Sequence, residues 1–202
     1  SYHKRVGDIE AELAKCDYVV EGTYFDQATR QSAMEPFQSF GYIDHLGRIV
    51  IVSSTQIVFH VRRHIARALG IPASKIRVIK PRIGGGFGSK QTACTELMTA
   101  FVTWKLQKPC YLLYDRTEAQ TCSTTRHARE WYIRLGATKD GIIQVIDMDS
   151  ITAAGAHATH CFTTTTAGEH KSVPLYNKGK AVHYGTEGVY TNHTPGGAFR
   201  GY

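Results

Sequence analysis

The stretch Arg82-Ile83-Gly84-Gly85-Gly86-Phe87-Gly88-Ser89-Lys90-Gln91 decides how the chain around it is arranged. It follows the apolar run Ile76–Ile79, which predicts a buried strand, and it precedes an amphipathic segment at residues 92–106, which predicts a helix. Glycines in the turn between them permit positive φ angles and let the backbone come close to a ligand. A helix that begins behind such a turn offers N–H groups to an anion. The pattern therefore predicts an anion-binding turn, with a tight turn that binds nothing as the alternative.

Two common glycine-rich motifs do not fit this turn. A P-loop ends in Gly-Lys-Ser or Gly-Lys-Thr, whereas here Ser89 precedes Lys90 and Gln91 follows it. The dinucleotide-binding fingerprint requires a third glycine where this chain has Ser89. Both motifs are therefore excluded.

Composition places the chain among globular proteins. It has 202 residues, 42% of them hydrophobic and 20% charged, which allows one large domain or two small ones. We find no run of 18 apolar residues and no signal region after the first five residues, so we expect a cytoplasmic protein without a membrane span. The five cysteines, at positions 16, 94, 110, 122 and 161, form no C-x-x-C pair and predict free thiols without an iron–sulfur cluster or structural zinc.

A formal net charge of +7 suits an anionic ligand such as a pyrophosphate. Basic residues gather at Arg62, Arg63 and Arg67, and again from Lys75 to Lys90. Nucleic acid would suit the same charge, but no nucleic-acid-binding motif accompanies it. For Arg62 and Arg63 a solvated basic face is the simpler interpretation.

Periodicity and turn residues predict the remaining elements. The predicted helices cover residues 9–16 with Asp8 as N-cap, residues 57–69 with Ser54 or Thr55 as cap and Gly70 as end, and residues 92–106. The predicted strands cover residues 17–24, 38–44, 48–53, 76–79, 110–114, 129–138, 142–151 and 181–190, with turns at 121–125 and a loop or irregular helix at 152–168. In the third helix, Cys94, Leu97, Met98, Phe101 and Val102 form the predicted buried stripe. This order predicts an α+β fold in two layers, with helices packed on a mixed β-sheet.

Two sets of residues have metal-ligand spacing. His60 and His64 are four apart on a predicted helix, but the neighbouring Arg62 and Arg63 disfavour a cation. His157, His160 and Cys161 could form a zinc corner, although no fourth ligand is suggested and ordinary loop residues are the preferred interpretation.

Four places resemble, in order and spacing, the molybdenum hydroxylases, the family of xanthine dehydrogenase and aldehyde oxidase. They are the loop at residues 84–90, Met34-Glu35-Pro36, Arg116 followed ten residues later by Arg126-His127, and Gly197-Ala198-Phe199-Arg200-Gly201-Tyr202. The loop is the most specific of the four, and together they cover nearly the whole chain. The resemblance implies that residues 1–202 are the N-terminal portion of a molybdopterin cofactor-binding domain.

The resemblance implies roles for four residues at the cofactor. Gly86, Phe87, Gly88 and Arg200 would bind it, with Phe87 and Gly88 meeting the molybdenum ligands through backbone N–H groups. Phe87 and Arg200 would contact the molybdenum centre without being direct side-chain ligands. A family glutamine beside a molybdenum oxo group aligns with Thr29 here, between Gln27 and Gln31, so either the alignment shifts to one of these neighbours or the contact is lost.

Three residues would meet the substrate. Arg126 matches a position that holds a substrate carbonyl oxygen and stabilises negative charge, so it is the catalytic candidate. Tyr202 matches an aromatic position that packs on a flat heterocycle. Gln91 stands where the purine oxidases carry a glutamate; it can hydrogen-bond a ring but cannot hold a negative charge, which weakens a xanthine assignment.

The implied reaction is hydroxylation of an electron-poor carbon of a purine-like N-heterocycle, with water as the oxygen source. The implied cofactor is molybdopterin with molybdenum, with or without a nucleotide, while iron–sulfur clusters and FAD lie on other domains or subunits of a hetero-oligomer. The remaining partners are a small-molecule substrate and the C-terminal molybdopterin-binding portion, and neither nucleic acid nor membrane is expected.

Two alternatives remain: an aldehyde-oxidising member of the family, and a non-catalytic module that binds a phosphate ligand or a partner. Because the catalytic glutamate of the family lies beyond residue 202, we expect the chain alone to be inactive.

Overall fold

The computed structural model describes residues 1–201, apart from the side chains of Glu169 and His170. Its elements, in chain order, are β1 (Tyr2–Val6), α1 (Ile9–Leu13), β2 (Tyr18–Asp26), β3 (Gln38–Ile43), β4 (Ile49–Ser53), α2 (Val58–Leu69), β5 (Ile76–Ile79), α3 (Glu96–Leu106), β6 (Cys110–Leu113), α4 (Arg116–Thr121), β7 (Arg129–Ala137), β8 (Ile143–Gly155), α5 (Cys161–Ser172) and β9 (Ala181–Tyr190). The chain forms two compact units. Unit 1 contains residues 1–29, 125–197 and Gly201, and unit 2 contains residues 30–124 and Ala198–Arg200.

Unit 1 is built on a five-stranded mixed sheet in the order β1-β9-β8-β7-β2. Strands β8 and β9 are parallel, and the other neighbouring pairs are antiparallel. The side chain of Asp8 caps α1 by accepting a hydrogen bond from Ala11 N–H at 3.1 Å. The small core of this unit forms where α1 places Ile9 and Leu13 against the sheet residues Val145 and Ala181.

Unit 2 is built on a four-stranded mixed sheet in the order β5-β4-β3-β6. Its core contains buried aliphatic residues from the sheet and from helices α2 and α3: Ile49, Ile51, Val61, Ile65, Ile76 and Ala100. Helix α2 ends at Gly70, which adopts a left-handed φ of 64°. Helix α3 lies close to β3 because β3 has no side chain at Gly41, where an added Cβ would lie 2.5 Å from Thr103 Oγ1.

Most predicted elements are confirmed, including the bounds of β5 and β9, the β3–β4 and β7–β8 hairpins, the Asp8 cap and the Gly70 stop. The α+β class with helices on mixed sheets is also confirmed, although the strands divide between two sheets. All five cysteines are free thiols, as predicted. None of the helices formed by residues 1–201 has the length and apolar content needed to cross a membrane.

The prediction for the third helix is wrong in two respects. Helix α3 begins at Glu96 instead of residue 92, because the Glu96 carboxylate accepts hydrogen bonds from Cys94 N–H and Ser53 Oγ and so fixes the chain ahead of the helix. The predicted apolar stripe is not the buried face, since Met98 and Phe101 are about half exposed. The buried face carries small residues, and Thr99 Oγ1 lies 2.8 Å from Ser39 Oγ.

Three further predictions differ from the structure, and one strand was not predicted. Neither Ser54 nor Thr55 caps α2, whose N-cap is Ile57 without a side-chain hydrogen bond. The prediction of a turn at residues 121–125 overlooked helix α4, which ends at Thr121. This helix begins with a reciprocal capping box between Asp115 and Glu118. The segment predicted as a loop or irregular helix at residues 152–168 is the end of β8 followed by the helix α5, so the helical alternative holds for its second half. Strand β1 was not predicted, because its sequence is polar and exposed and lacks alternating apolar residues. Only its pairing with β9 defines it as a strand.

Candidate functional site

The glycine-rich loop of unit 2 leaves β5 and turns sharply through left-handed backbone conformations. Gly85 and Gly88 both have a φ of 99°, and Phe87 between them has a φ of 51°. A 3-10 turn at Ser89–Gln91 closes the loop, in which Ser89 N–H and Oγ–H both donate to Gly86 O and Gln91 N–H donates to Gly88 O at 3.0 Å. The helix start predicted directly behind the loop is therefore replaced by this turn.

Three glycines of the loop are in contact with distant parts of unit 2. A Cβ added at Gly88 would lie 2.5 Å from the Ala198 carbonyl oxygen and 2.8 Å from Phe199 N. A Cβ at Gly86 would lie 2.6 Å from Gln56 Oε1, and one at Gly84 would lie 2.7 Å from Glu35 Cβ. The neighbours of Gly88 are backbone atoms, so only glycine permits the approach there, whereas an added Cβ at Gly84 or Gly86 would force the Glu35 or Gln56 side chain to shift.

A buried ion pair anchors the loop to the Met34-Glu35-Pro36 segment. Glu35 Oε2 accepts hydrogen bonds from Lys90 Nζ at 2.8 Å and from Gly84 N–H at 2.6 Å, while Oε1 accepts one from Gln38 Nε2. The Lys90 side chain is 1% exposed. Burial raises the pKa of Glu35, but the hydrogen bonds from Lys90, Gly84 and Gln38 outweigh that effect, so the pKa lies below its ordinary value.

Arg116 holds the same segment from its other side. Its Nη1 donates to Ala33 O and its Nη2 donates to Met34 O, each at 2.8 Å. The first, second and third sequence motifs thus meet at residues 33–35 through Lys90, Glu35 and Arg116. Arg116 is a structural clamp in this arrangement.

Gln31 links this region to the last motif. Its side chain is buried, and its Nε2 donates a hydrogen bond to Ala198 O at 2.6 Å. Its Oε1 is buried and has no hydrogen-bond partner among the described residues. Of the three candidates for the family glutamine position, Gln27 and Thr29 are exposed, and Gln31 is the one whose side chain is buried beside the last motif.

Two backbone N–H groups of the loop differ in whether they have a hydrogen-bond acceptor. Gly88 N–H donates to Gln56 Oε1 at 3.1 Å, whereas Phe87 N–H has no partner within residues 1–201. The Arg200 guanidinium lies 5.9 Å from the centre of the Phe87 ring. Gln91 is partly exposed at the end of the 3-10 turn. Gly86, Phe87, Gly88 and Arg200 are therefore brought together, and Gln91 lies three residues further along.

Arg126 lies in unit 1 and lines a cleft of about 430 Å³. Its backbone N–H donates to Thr29 O at 2.8 Å. The other lining residues include Phe25, Gln27 and His193. Clefts of roughly 300–1,000 Å³ are typical of small-molecule sites. Tyr202, the remaining predicted substrate residue, lies outside the described residues.

His127 follows Arg126, and its buried ring packs against Gly196, next to the last motif. Burial and the nearby Arg129 lower the pKa of His127 to about 4, so the ring is neutral at pH 7. Its Nε2–H donates to Thr159 O at 3.2 Å. A Cβ on Gly196 would lie 2.5 Å from His127 Nε2, so this glycine is also required by a close contact.

The geometry of unit 2 fits an anionic, multidentate cofactor. The loop presents a free backbone N–H at Phe87, an arginine lies beside it, and the buried Gln31 Oε1 requires a hydrogen-bond donor that no described residue supplies. The donor set and the buried acceptor together match a group that carries both anionic oxygens and N–H groups.

The whole chain, residues 1–202, matches the family model of the molybdopterin cofactor-binding domain, and the protein belongs to that family. The resemblance to the molybdenum hydroxylases is thereby confirmed, and with it molybdopterin as the cofactor of this domain.

Curated relatives cover the chain but are much longer. The chain is 36% identical over 202 residues to the probable hypoxanthine oxidase XdhD of Escherichia coli (strain K12), which is 100% of this chain and 21% of that protein. It is 34% identical over 201 residues to the nicotinate dehydrogenase large molybdopterin subunit of Eubacterium barkeri, which is 99% of this chain and 47% of that protein. The chain thus spans between about a fifth and a half of the length of these relatives.

Solved structures share the fold. The aldehyde oxidoreductase from Desulfovibrio gigas superimposes with a TM-score of 0.87 at 23% identity, over 100% of this chain and 22% of that chain. The CO dehydrogenase from Oligotropha carboxidovorans gives a TM-score of 0.80 at 24% identity, over 98% of this chain and 25% of that chain.

Sequence reasoning missed Gln56 and the structural role of Lys90. Gln56 lies in the unremarkable segment between β4 and α2, and no local pattern marks it as the acceptor of Gly88 N–H. Lys90 stands inside the quoted loop, but its contact with Glu35 joins residues 55 positions apart.

Proposed function

We propose that the chain is part of the molybdopterin-binding subunit of an oxidoreductase that hydroxylates an electron-poor carbon of a purine-like N-heterocycle, with water as the oxygen source. The observation that carries the proposal is the glycine loop held against Ala198, with the buried Gln31 Oε1 lacking a partner among the described residues. The names of the relatives, a probable hypoxanthine oxidase and a nicotinate dehydrogenase subunit, support a heterocyclic substrate.

Three groups of this chain would hold the cofactor. Phe87 N–H would donate to one of its oxygen atoms, Arg200 would offset its negative charge, and Gln31 Oε1 would accept from one of its N–H groups. Glu35 and Lys90 would keep the loop in the conformation that presents Phe87. Gly88 N–H would remain bound to Gln56 or exchange that bond for one to the cofactor. When bound, the cofactor supplies the two-electron redox chemistry, and the protein supplies position and electrostatic field.

Arg126 would act on the substrate. A guanidinium in a cleft is always charged and donates a fork of N–H groups, so it can hold a carbonyl oxygen on which negative charge grows. Phe25, in the same cleft, offers an aromatic face to a flat ring. Gln91 and Tyr202 remain the further substrate candidates implied by the resemblance.

Aldehyde oxidation is the second candidate. It is favoured by Gln91, which stands where purine oxidases carry a glutamate, and relatives include the aldehyde oxidoreductase molybdenum-binding subunit PaoC of Escherichia coli (strain K12), 28% identical over 148 residues. In either case we propose that iron–sulfur and flavin centres on other domains or subunits receive the electrons.

A pair of glycine variants tests the proposal in the assembled enzyme. Gly88 and Gly70 both have positive φ angles, but an added Cβ meets Ala198 at Gly88 and nothing within 4 Å at Gly70. Gly88→Ala should therefore remove most of the bound molybdenum and pterin, while Gly70→Ala, which also places a side chain at positive φ but meets no neighbouring atom, should retain both. The measurements are metal analysis and pterin fluorescence of purified protein with matched circular dichroism spectra.

Full molybdenum occupancy in Gly88→Ala would contradict the placement of the cofactor at this loop. Absence of molybdenum from the unmodified assembled protein, together with binding of a phosphate ligand, would favour the non-catalytic module instead.

A further inference from the structure

Three potential metal ligands meet on one face of the unit 1 sheet. His3 on β1, Asp149 on β8 and His183 on β9 each offer a ligand atom, and these atoms lie within 4.8 Å of one another. Within the described part of the chain no other group of three or more histidine, cysteine, aspartate or glutamate residues does so. Neither the His60 and His64 pair nor the segment with His157, His160 and Cys161 belongs to such a group.

The strand register explains how the three residues come together. Gly185 of β9 pairs with His3 on one side and with Asp149 on the other, and His183 lies two residues away on the same face. A Cβ at Gly185 would collide with Asp149 Oδ1 and would lie 2.8 Å from His3 Nδ1. The absence of a side chain at this position therefore creates the space in which the two side chains meet.

Asp147 orients the innermost ligand. Its Oδ1 lies 2.7 Å from His183 Nδ1, and its Oδ2 accepts a hydrogen bond from Arg134 Nε at 2.7 Å. Because a carboxylate held by an arginine accepts hydrogen bonds, Nδ1 of His183 donates to Asp147, and Nε2 of the neutral ring is the nitrogen that can ligate a cation. A carboxylate that binds the second nitrogen of a histidine is the usual support of a histidine that ligates a metal.

The electrostatic surroundings permit a cation. The charge of Arg134 is offset by Asp147 and by Glu10, whose Oε1 lies 2.6 Å from Arg134 Nη2. The His3 and His183 rings are stacked, with centroids 6.1 Å apart, and Asp149 is half exposed, so both outer ligands can turn inward. Arg5, which pairs with His183 across the strands, is exposed to solvent.

We propose that His3, Asp149 and His183 bind a zinc-class divalent cation, at a site separate from the molybdenum cofactor. Two imidazoles and one carboxylate are typical ligands of Zn²⁺, at distances of about 2.0–2.2 Å, with water in the fourth position. The half-exposed Asp149 side chain leaves one side of the site open to that water.

Binding is tested by titrating the purified chain with Zn²⁺ in a calorimeter and with Co²⁺ in a visible absorption spectrometer. We expect one Zn²⁺ per chain and a Co²⁺ spectrum of a four- or five-coordinate site. His3→Ala and Asp149→Asn should each abolish stoichiometric binding, because each leaves two protein ligands. His60→Ala is the matched control, since it removes an exposed histidine outside the group and should leave binding unchanged.

Two further variants separate ligation from folding. Gly185→Ala keeps all three ligands but fills the space between two of them, so we expect Zn²⁺ binding to be lost. Asp147→Asn should weaken Zn²⁺ binding roughly 10–100-fold, as removal of outer-shell partners does elsewhere. Circular dichroism in zinc-free buffer identifies any variant that fails to fold, in which case the half-exposed Asp149→Asn decides. Binding that survives Asp149→Asn, or is lost equally in His60→Ala, overturns the proposal.

Discussion

Phe87 is a non-glycine residue in the left-handed region, with a φ of 51°, and its side chain is 44% exposed. Such a conformation costs on the order of 1–3 kcal/mol and persists only where its surroundings impose it. Here the hydrogen bonds of Gly84, Gly88 and Ser89 fix the loop on both sides of Phe87. The strain is compensated if the Phe87 N–H, which has no partner within residues 1–201, binds a ligand, which is the role that we propose for it.

Arg126→Met tests the proposed substrate contact, because methionine keeps part of the length but lacks the guanidinium. Loss of a group that stabilises developing charge costs roughly 10²–10³-fold in rate. We therefore expect kcat/KM in the assembled enzyme to fall by about that factor for a carbonyl-bearing heterocycle and far less for a simple aldehyde. Arg63→Met, on the exposed face of α2, is the control.

Equal and small effects of Arg126→Met on both substrates would remove Arg126 from the reaction. If both rates fall together and the molybdenum content also drops, Arg126 supports the cofactor pocket, and the preference for a heterocycle loses its main argument.

The loop after β5, the segment before β3 and helix α4 are held together by a few polar side chains of unit 2. Glu35 joins the first two through Gly84 and Lys90, and Arg116 at the start of α4 holds the carbonyl groups of residues 33 and 34. Few apolar contacts are available in so glycine-rich a region, so its order depends on these charges. Removing one partner leaves the other buried without compensation.

Glu35→Gln should therefore destabilise the protein by roughly 3 kcal/mol at neutral pH, because Lys90 stays buried and charged. The folded-state pKa of Glu35 lies below its ordinary value of 4.5, so its contribution is present above pH 4.5 and is lost as pH falls through the lowered value. The difference between the two proteins in urea unfolding should accordingly shrink below pH 4.5. Glu12→Gln, which breaks the exposed pair with Lys15, should show little difference at any pH.

A difference between wild type and Glu35→Gln that is small at pH 7, or that grows as the pH falls, would contradict this account of the ion pair.

At the scale of the molecule, most of unit 2 is inserted into unit 1: residues 30–124 interrupt unit 1, and Ala198–Arg200 form a second, short segment of unit 2. The chain leaves unit 1 after Thr29 and returns at Thr125, and the two ends are joined by a hydrogen bond from Arg126 N–H to Thr29 O at 2.8 Å. Each unit has its own sheet and its own buried cluster. Insertions whose ends lie close together leave the host fold largely independent of what is inserted.

Replacing residues 30–124 by a short glycine-serine linker should therefore leave the five-stranded sheet folded. We expect a β-rich circular dichroism spectrum and slow amide exchange in β7, β8 and β9, comparable with the same amides in the full chain. Zn²⁺ binding at His3 and His183 should survive, whereas the cofactor loop is absent. A shortened chain without protected amides would show that unit 1 depends on unit 2 for its stability.

The sequence by itself determined the features that depend on local chemistry. The positions of β5 and β9, both hairpins and the end of α2 followed from β-branched runs, turn residues and glycines at positive φ angles. The family followed from four motifs in the expected order. Even α4 was encoded locally, in the capping box of Asp115 and Glu118, although the turn residues near 121–125 obscured it.

Only the tertiary structure decided which residues are buried and which side chains meet. Met98 and Phe101 are as apolar as any core residue, yet α3 buries Thr99 and Thr103 because small side chains let it approach Gly41. Lys90 is buried because it forms an ion pair with Glu35. His3 and Asp149 lie on the two strands that flank Gly185, and they meet because Gly185 has no side chain to keep them apart. Burial and ligand geometry depend on partners far away in the chain, and a local pattern carries no information about those partners.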